Sequence, residues 1–416
     1  MRWMRGMAEP AARPPQDWRV LLAAYFAVSL IESAGVSQIF ALLPARLLEL
    51  GVTGDARLTF IGVFSALIFV VGAPLVPLWG VWADKYSRTA VIARSAVVEA
   101  VVFAGVALST ETWQLAVTLL LVGFQLGNTG VMLAAIRDLA PRARIGLAVA
   151  IFGASGPIGF ALGPAVAGLL IDGAGWALPA VFWLSSAMSV VAALLVWLGT
   201  REVRPEVVPS GSTLTLAFGA VRGVLTDPVV RRIFAIYTVA FLATQASRPY
   251  IPVLVEGLVG VGPGLASSVA LVVGVAALAG AVISPLGGAL GDRVGFRPVL
   301  LGALALAGLT LIGMPLMPAL GALAVAQFAF AACIAVATAM VFGLLATETT
   351  PERRSATLNL VYLPLYAAGI VGPALAAVAA SLAGPPGPFV AGALAVLAGT
   401  AIIATRREPT RITADA

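Results

Sequence analysis

Residues 80–89 read Gly80-Val81-Trp82-Ala83-Asp84-Lys85-Tyr86-Ser87-Arg88-Thr89, and the stretch Gly288-Ala289-Leu290-Gly291-Asp292-Arg293-Val294-Gly295-Phe296-Arg297 repeats their layout. Asp84 and Asp292 are 208 positions apart in a chain of 416 residues, so the same charged loop stands at the same place in each half. An acid followed at once by a cation, with a second cation four places on, makes a compact ionic clasp where two helices leave a bilayer. Gly80 and Gly288, four residues before each acid, are expected to let another backbone come close. One such loop would pass as an ordinary basic turn beside a membrane helix. Two at a half-length offset point to a duplicated unit.

The surroundings of the clasps fix the solvent. With 60% hydrophobic and only 11% charged residues, a chain of this length lacks the polar surface of a soluble globule. It reads as an integral membrane protein with the lipid bilayer as its partner. The net charge of +6 is scattered singly between apolar runs rather than gathered on one face, which argues against nucleic acid. The chain has no histidine, and its one cysteine, Cys333, sits in an apolar run; His relays, Cys clusters and disulfide frameworks are excluded. No nucleophile–base set or metal set is visible, so an enzyme is not expected, and neither is a cofactor.

Runs long enough to cross about 30 Å of hydrocarbon number twelve, at about 19–43, 58–79, 90–109, 114–137, 147–171, 178–199, 232–255, 266–287, 299–317, 319–345, 356–380 and 388–405. The expected fold is therefore all-α: twelve transmembrane helices in two pseudo-symmetric bundles of six. Residues 1–18 form a tail, 19–199 the first bundle, 200–231 a polar linker with a short helix near Leu214–Leu225, 232–405 the second bundle and 406–416 a second tail. An even count puts both termini on one side. That side receives 22 of the 25 Arg and Lys, all but Arg46, Arg57 and Arg248, so the positive-inside rule places both termini in the cytoplasm. Further landmarks keep nearly the same offset. Pro44 and Pro252, expected to end the first helix of each half, are 208 apart; Gly163-Pro164 and Gly372-Pro373 are 209 apart; Asp138, Pro141 and Arg144 are echoed 210 later by Glu348, Pro351 and Arg354. Paired halves of this kind put the substrate site between them, near the middle of the bilayer.

On these residues the chain resembles the major facilitator superfamily over nearly its full length. The family loop G-x-x-x-D-R/K-x-G-R-K/R is matched by Gly80, Asp84, Lys85 and Arg88, with Ser87 and Thr89 departing, and again by Gly288, Asp292, Arg293, Gly295 and Arg297. The stretch with Gly159, Gly163, Pro164 and Gly168 looks like the G-x-x-x-G-P-x-x-G-G signature of the drug:proton antiporter branch, with Ala167 in place of one glycine. Its small residues at spacings of four are expected to bring the fifth helix against a neighbour across the interface between halves. The resemblance implies that Asp84 faces the N-terminal end of the eleventh helix, that Arg88 pairs with Asp138, and that both contacts break when the cytoplasmic side opens. An arginine common in the fourth helix of the family's drug exporters is absent from Leu119–Gly123, which leaves the coupling route open.

Glu32, mid-way along the first helix, is the foremost candidate for proton coupling, because an isolated carboxylate at that depth is costly and usually functional. Loss of water favours its uncharged form and a nearby cation its anion, so one residue can exchange a proton for a positively charged cargo. Glu99 is the second mid-membrane acid, with Arg94 five residues before it. Gln38, Gln125, Asn128, Gln245, Arg248, Gln327, Asn359, Tyr362 and Tyr366 are the polar groups placed to line a cavity or bridge helices, Asn359, Tyr362 and Tyr366 sharing one helix face. Arg248 is open to three roles: binding an anion, pairing with Glu256, or reaching outward. The expected function is secondary active transport by alternating access: a monomeric, proton-driven exporter of amphipathic or cationic small molecules in a bacterial inner membrane, powered by the proton gradient. A sugar or metabolite carrier is a second reading, disfavoured by the few polar cavity candidates, and a non-transporting receptor is a third, disfavoured by two recognisable clasps.

Overall fold

The computed structural model describes residues 16–205, 208–348, 360 and 363–405, and among these the secondary structure is helical throughout. Twelve helices are long and apolar enough to span a bilayer: α1 Trp18–Glu49, α2 Gly54–Lys85, α3 Arg88–Leu108, α4 Thr112–Leu139, α5 Arg142–Gly173, α6 Leu178–Gly199, α7 Pro228–Val259, α8 Leu265–Val294, α9 Phe296–Leu316, α10 Leu320–Glu348, α11 Leu363–Ala383 and α12 Gly387–Thr405. Their composition dictates this form, because a backbone in hydrocarbon must satisfy its own hydrogen bonds and a helix does so within one segment. Trp18 and Thr405 lie on the same face of the bundle, the terminal face; the opposite one is the far face. Between α6 and α7 runs one further helix, Thr213–Thr226, packed on the terminal end of α2.

Two expected helix ends are displaced. α1 continues through Pro44 to Glu49, and α7 interrupts its α-helical ladder at Arg248–Tyr250 before continuing through Pro252 to Val259. Neither proline ends its helix, since a missing N–H can be tolerated where neighbours take up the freed groups. The Pro44 carbonyl itself accepts from Arg57 Nε at 3.0 Å, which ties α1 to α2 at this level. Arg46 caps the end of α3, donating to the carbonyls of Val106, Ala107 and Ser109.

Within the first half α1 packs on α5 and α3 on α6, while α2 against α11 and α5 against α8 join the halves. The small residues of α5 explain two of these contacts and correct one expectation. A Cβ at Gly159 would lie 2.5 Å from the Leu30 carbonyl, and one at Gly163 would run into the Ala34 carbonyl and Ser37. Both glycines therefore serve the α1–α5 contact inside the first half. Gly168 alone of the three faces the other half, against Ser267 of α8.

The joints between halves gather toward the far face. There Gly62 of α2 admits Pro373 and Ala377 of α11. At mid-depth Phe69 packs on Gly369 and on the Tyr366 ring. One apolar core runs continuously through both halves, whereas the terminal-side core built on Leu21, Tyr25, Ile92, Met132 and Phe152 draws only on first-half residues. Among the described residues the halves thus meet on the far side, and the terminal-side core takes in no second-half residue. Gly163→Leu is expected to destabilise the purified protein by about 3 kcal/mol, the upper end for overpacking, because the obstructing atoms are backbone. Gly153→Leu, on the exposed face of the same helix, is expected to change stability by under about 0.5 kcal/mol. Equal shifts in thermal unfolding would refute the α1–α5 assignment.

Candidate functional site

The centre of the first half is organised by a break in α4, a helix that the sequence pattern runs unbroken. The helix extends from Thr112 to Leu121, tightens into a 3-10 turn at Val122–Phe124, and resumes at Asn128 after Gly127, whose φ of 98° suits glycine. Gly123 lets the break nest against α2, where a Cβ would come 2.6 Å from the backbone nitrogen of Gly72. α2 is itself interrupted there, between Val70 and Gly72.

Carbonyls released by such a break need donors, and α3 supplies them. Ser95 Oγ donates to the Gln125 carbonyl at 2.7 Å, and Arg94 Nη2 donates to the Gln125 and Leu126 carbonyls at 3.4 and 3.2 Å. The Arg94 guanidinium also stacks 3.7 Å from the centroid of the Trp79 ring. Nε and Nη1 of Arg94 have no hydrogen-bond partner among the described residues. A cation carried by α3 thus reaches the break in α4.

Asn128, the first residue after the break, donates through Nδ2 to both carboxylate oxygens of Glu32, at 2.8 and 2.7 Å. Glu32 is 6% exposed and lies within reach of the Arg94 charge. Glu99 is fully buried; Ser189 Oγ of α6 donates to its Oε2 at 3.0 Å, and its Oε1 has no partner among the described residues. The two acids, one cation and one amide share the space between α1, α3, α4 and α6.

The other polar candidates separate by what they touch. Gln38 is consumed as a staple: its Nε2 donates to the Gly163 carbonyl at 3.0 Å, and its Oε1 accepts from Ser185 Oγ at 2.5 Å. It ties α1 to α5 and α6. Gln125 is buried and contributes its carbonyl to the α4 break. Gln245 is buried beside Gly372 of α11, and its Oε1 and that of Gln327 are unpartnered among the described residues. Tyr366 packs on Phe69, whereas Asn359 and Tyr362 lie outside the described residues.

At the first clasp Arg88, 3% exposed at its side chain, bonds Asp84 at 2.8 Å and Asp138 at 2.7 Å. All three residues belong to the first half. The Arg88–Asp138 pair that the resemblance implies is present, and it lies within the first half. The helix-11 segment expected to face Asp84 lies outside the described residues. Lys85 pairs with neither acid; its Nζ donates to the Gly211 carbonyl of the linker at 2.5 Å. Glu202, a linker acid that the motif pattern does not single out, accepts from Ser87 Oγ and from the backbone N–H groups of Arg88 and Thr89, capping the start of α3. Ser87, a departure from the family pattern, is thereby put to use.

Gly80 and Gly288 meet nothing within 4 Å where a Cβ would stand. The close backbone approach expected of them is not made, because no described element of the other half reaches these positions. In the second clasp Asp292 and Arg293 are exposed, and Arg297 donates to the Ile403 carbonyl at the end of α12 at 2.8 Å. The side chain of Glu348 lies outside the described residues.

The far-face seal holds another correction. Glu256 pairs with Arg57, and not with Arg248, through two parallel hydrogen bonds of 2.8 and 2.6 Å that bridge α7 to α2. Tyr250 Oη donates to the Leu58 carbonyl at 2.8 Å beside it. On the opposite seam, the Ser267 N–H donates to Asp172 at 2.7 Å. These bonds between the halves all lie at the far end.

A twelve-helix bundle in paired halves, shut at one face around a charged centre, is the form of a membrane carrier. The family model of the Major Facilitator Superfamily matches residues 20–270 and 233–415, and the chain belongs to that superfamily. It is similar to the Multidrug resistance protein MdtG of Citrobacter koseri, with 30% identity over 302 residues covering 72% of this chain and 73% of that one. The protein of the same name from a Rahnella species is 28% identical over 79% of this chain and 80% of its own. Among solved structures, a mutant form of the nucleoside transporter NupG superposes with a TM-score of 0.74 at 15% identity, covering 92% of this chain and 98% of that one. The protein is accordingly a secondary transporter, a multi-pass membrane protein that carries small molecules.

The seal generates a direct test. Removing one member of a buried ion pair strands the other, which costs more than removing both. Spin labels at exposed Asp55 and Val261 are expected to show a shift toward longer distances in Arg57→Gln or Glu256→Gln, and a smaller shift in Arg57→Met/Glu256→Met. Unchanged distance distributions in both single variants would show that this pair does not hold the far face shut.

Proposed function

We propose that the protein is a proton-coupled exporter of amphipathic small molecules, working as a monomer in a bacterial inner membrane with its terminal face toward the cytoplasm. The observation that carries this reading is the Glu32 carboxylate held by Asn128 at the break in α4, with Arg94 beside it. The distribution of Arg and Lys supports the orientation, and the far-side seal then makes this the inward-facing state. The names of the bacterial relatives support a multidrug substrate range.

The chemistry of the site supplies a route for coupling. As an anion Glu32 accepts from Asn128 at both oxygens; a proton turns one of these oxygens into a donor, and the amide N–H can no longer serve both. Asn128 is the first helical residue after Gly127, so its release acts on the weakest point of α4. Arg94, anchored to the same break and stacked on Trp79 of α2, carries the change to the helix that forms one seam with the other half. Protonation of one carboxylate is thereby linked to how the halves meet. Glu99 supplies a second buried acid beside this network, and the clasp at Asp84 stiffens the terminal end of the first half. The sugar-carrier reading loses ground, because Gln38 and Asn128 are bonded within the protein and little polar lining is left to recognise hydroxyls.

Glu32→Gln keeps the size of the side chain and mimics its protonated form, with one acceptor and one donor group, but cannot release a proton. In liposomes with an imposed pH gradient, the variant is expected to lose gradient-driven accumulation of a lipophilic dye and to retain dye-for-dye exchange. Full gradient-driven accumulation in the variant would sink the assignment of Glu32, and sugar flux indifferent to pH in the parent would favour the second reading.

A further inference from the structure

Arg248 stands at the α7 interruption, half-buried, and faces the first half across the space between bundles. Its guanidinium lies 5.6 Å from the centroid of Phe40 in α1 and 5.3 Å from that of Phe160 in α5. Among the described residues it has no hydrogen-bond or ion-pair partner. This is an unusual condition for a cation at membrane depth, where an unpaired charge is expensive and persists where function requires it.

The neighbouring acids offer no relief. Glu256, about two turns further along α7, is committed to Arg57. Glu32 is held by Asn128, and Glu99 by Ser189. Phe40 is eight residues beyond Glu32 on α1, about 12 Å further toward the far face at the rise of an α-helix. Arg248 therefore sits above the Glu32 network and below the Tyr250–Leu58 and Arg57–Glu256 seal. Two aromatic rings can cover the faces of a guanidinium and leave its N–H edge free, and that edge is shaped for a carboxylate or a comparable oxyanion. Gln245 lies three residues earlier on the same helix, with its Oε1 unpartnered among the described residues.

We propose that Arg248 is the anion-binding group of the transport pocket, so that the cargo is an amphipathic organic acid: its oxyanion meets Arg248, and its apolar body lies along Phe40 and Phe160. This rests on the export function proposed for the same pocket and replaces the cationic cargo expected from sequence with an anionic one. Carriage of an acid also suits the site's remaining charges, since Glu32 is held by Asn128 and a cationic cargo would meet Arg248 with no free acid beside it among the described residues.

The test is binding to the purified full-length protein in nanodiscs with no gradient, which separates it from proton coupling. The probes are matched series of arylalkyl carboxylates, carboxamides and ammonium ions that differ only in the head group. The carboxylates are expected to bind at least about tenfold more tightly than their amides and ammonium counterparts, the range of a charge-assisted hydrogen bond. Arg248→Gln is expected to abolish that preference, Arg248→Lys to keep part of it, and Phe160→Leu to weaken all three series alike. Equal binding of the three head groups, tighter binding of the ammonium series, or no binding of any carboxylate overturns the proposal. So does an unchanged carboxylate preference in Arg248→Gln. The ranking in the parent protein decides the matter even if that variant fails to fold. Failure of Glu32→Gln to uncouple transport would leave this ranking untouched, and a lost ranking would leave proton coupling untouched.

Discussion

Hydrocarbon offers no hydrogen bonds, and the broken fourth helix is built around that constraint. Once the ladder is interrupted between Leu121 and Asn128, the carbonyls of Gln125 and Leu126 must find donors inside the protein. Ser95 and Arg94 provide them, which places a guanidinium at mid-depth, which in turn stands beside the Glu32 carboxylate. Backbone satisfaction and the electrostatics of the site are one arrangement. Gly123 and Gly127 make it possible, the first by letting α2 approach and the second by accepting a left-handed conformation.

Small residues divide the labour between rigidity and movement. Gly159 and Gly163 bring α5 onto α1 so closely that Gln38 can bond the Gly163 carbonyl, and the first half behaves as one packed body. Gly62 and Gly168 serve the seams between halves at the far side. Among the described residues no comparable contact is made at Gly80 or Gly288 in this state. Two packed bodies whose described contacts gather toward one face have a geometry suited to rocking about the space between them.

The charges fall into three levels. The clasp of Asp84, Arg88, Asp138 and Glu202 lies at the terminal face within the first half and its linker, where it ties the ends of α2, α3 and α4 together. The Glu32, Arg94 and Glu99 group lies at mid-depth. Arg57 and Glu256 close the far face, and Arg248, set between the last two levels, is the cation that the proposed cargo engages.

The sequence by itself determined the solvent, the helix count and the two-fold repeat, because these derive from composition, run length and a fixed offset between landmarks. It also singled out Glu32 and Asn128 as candidates, since a polar group in a long apolar run is conspicuous wherever it points. It did not reveal their bond to each other, the α4 break, or the partner of Glu256. Nor did it separate Gln38, used up between helices, from Arg248, left facing the space between halves. Those outcomes depend on which helices neighbour one another and at what rotation, and residues 96 positions apart, as Glu32 and Asn128 are, carry no mark of adjacency in the chain. Only tertiary packing decides whether a buried polar group is satisfied by the protein or left for a ligand.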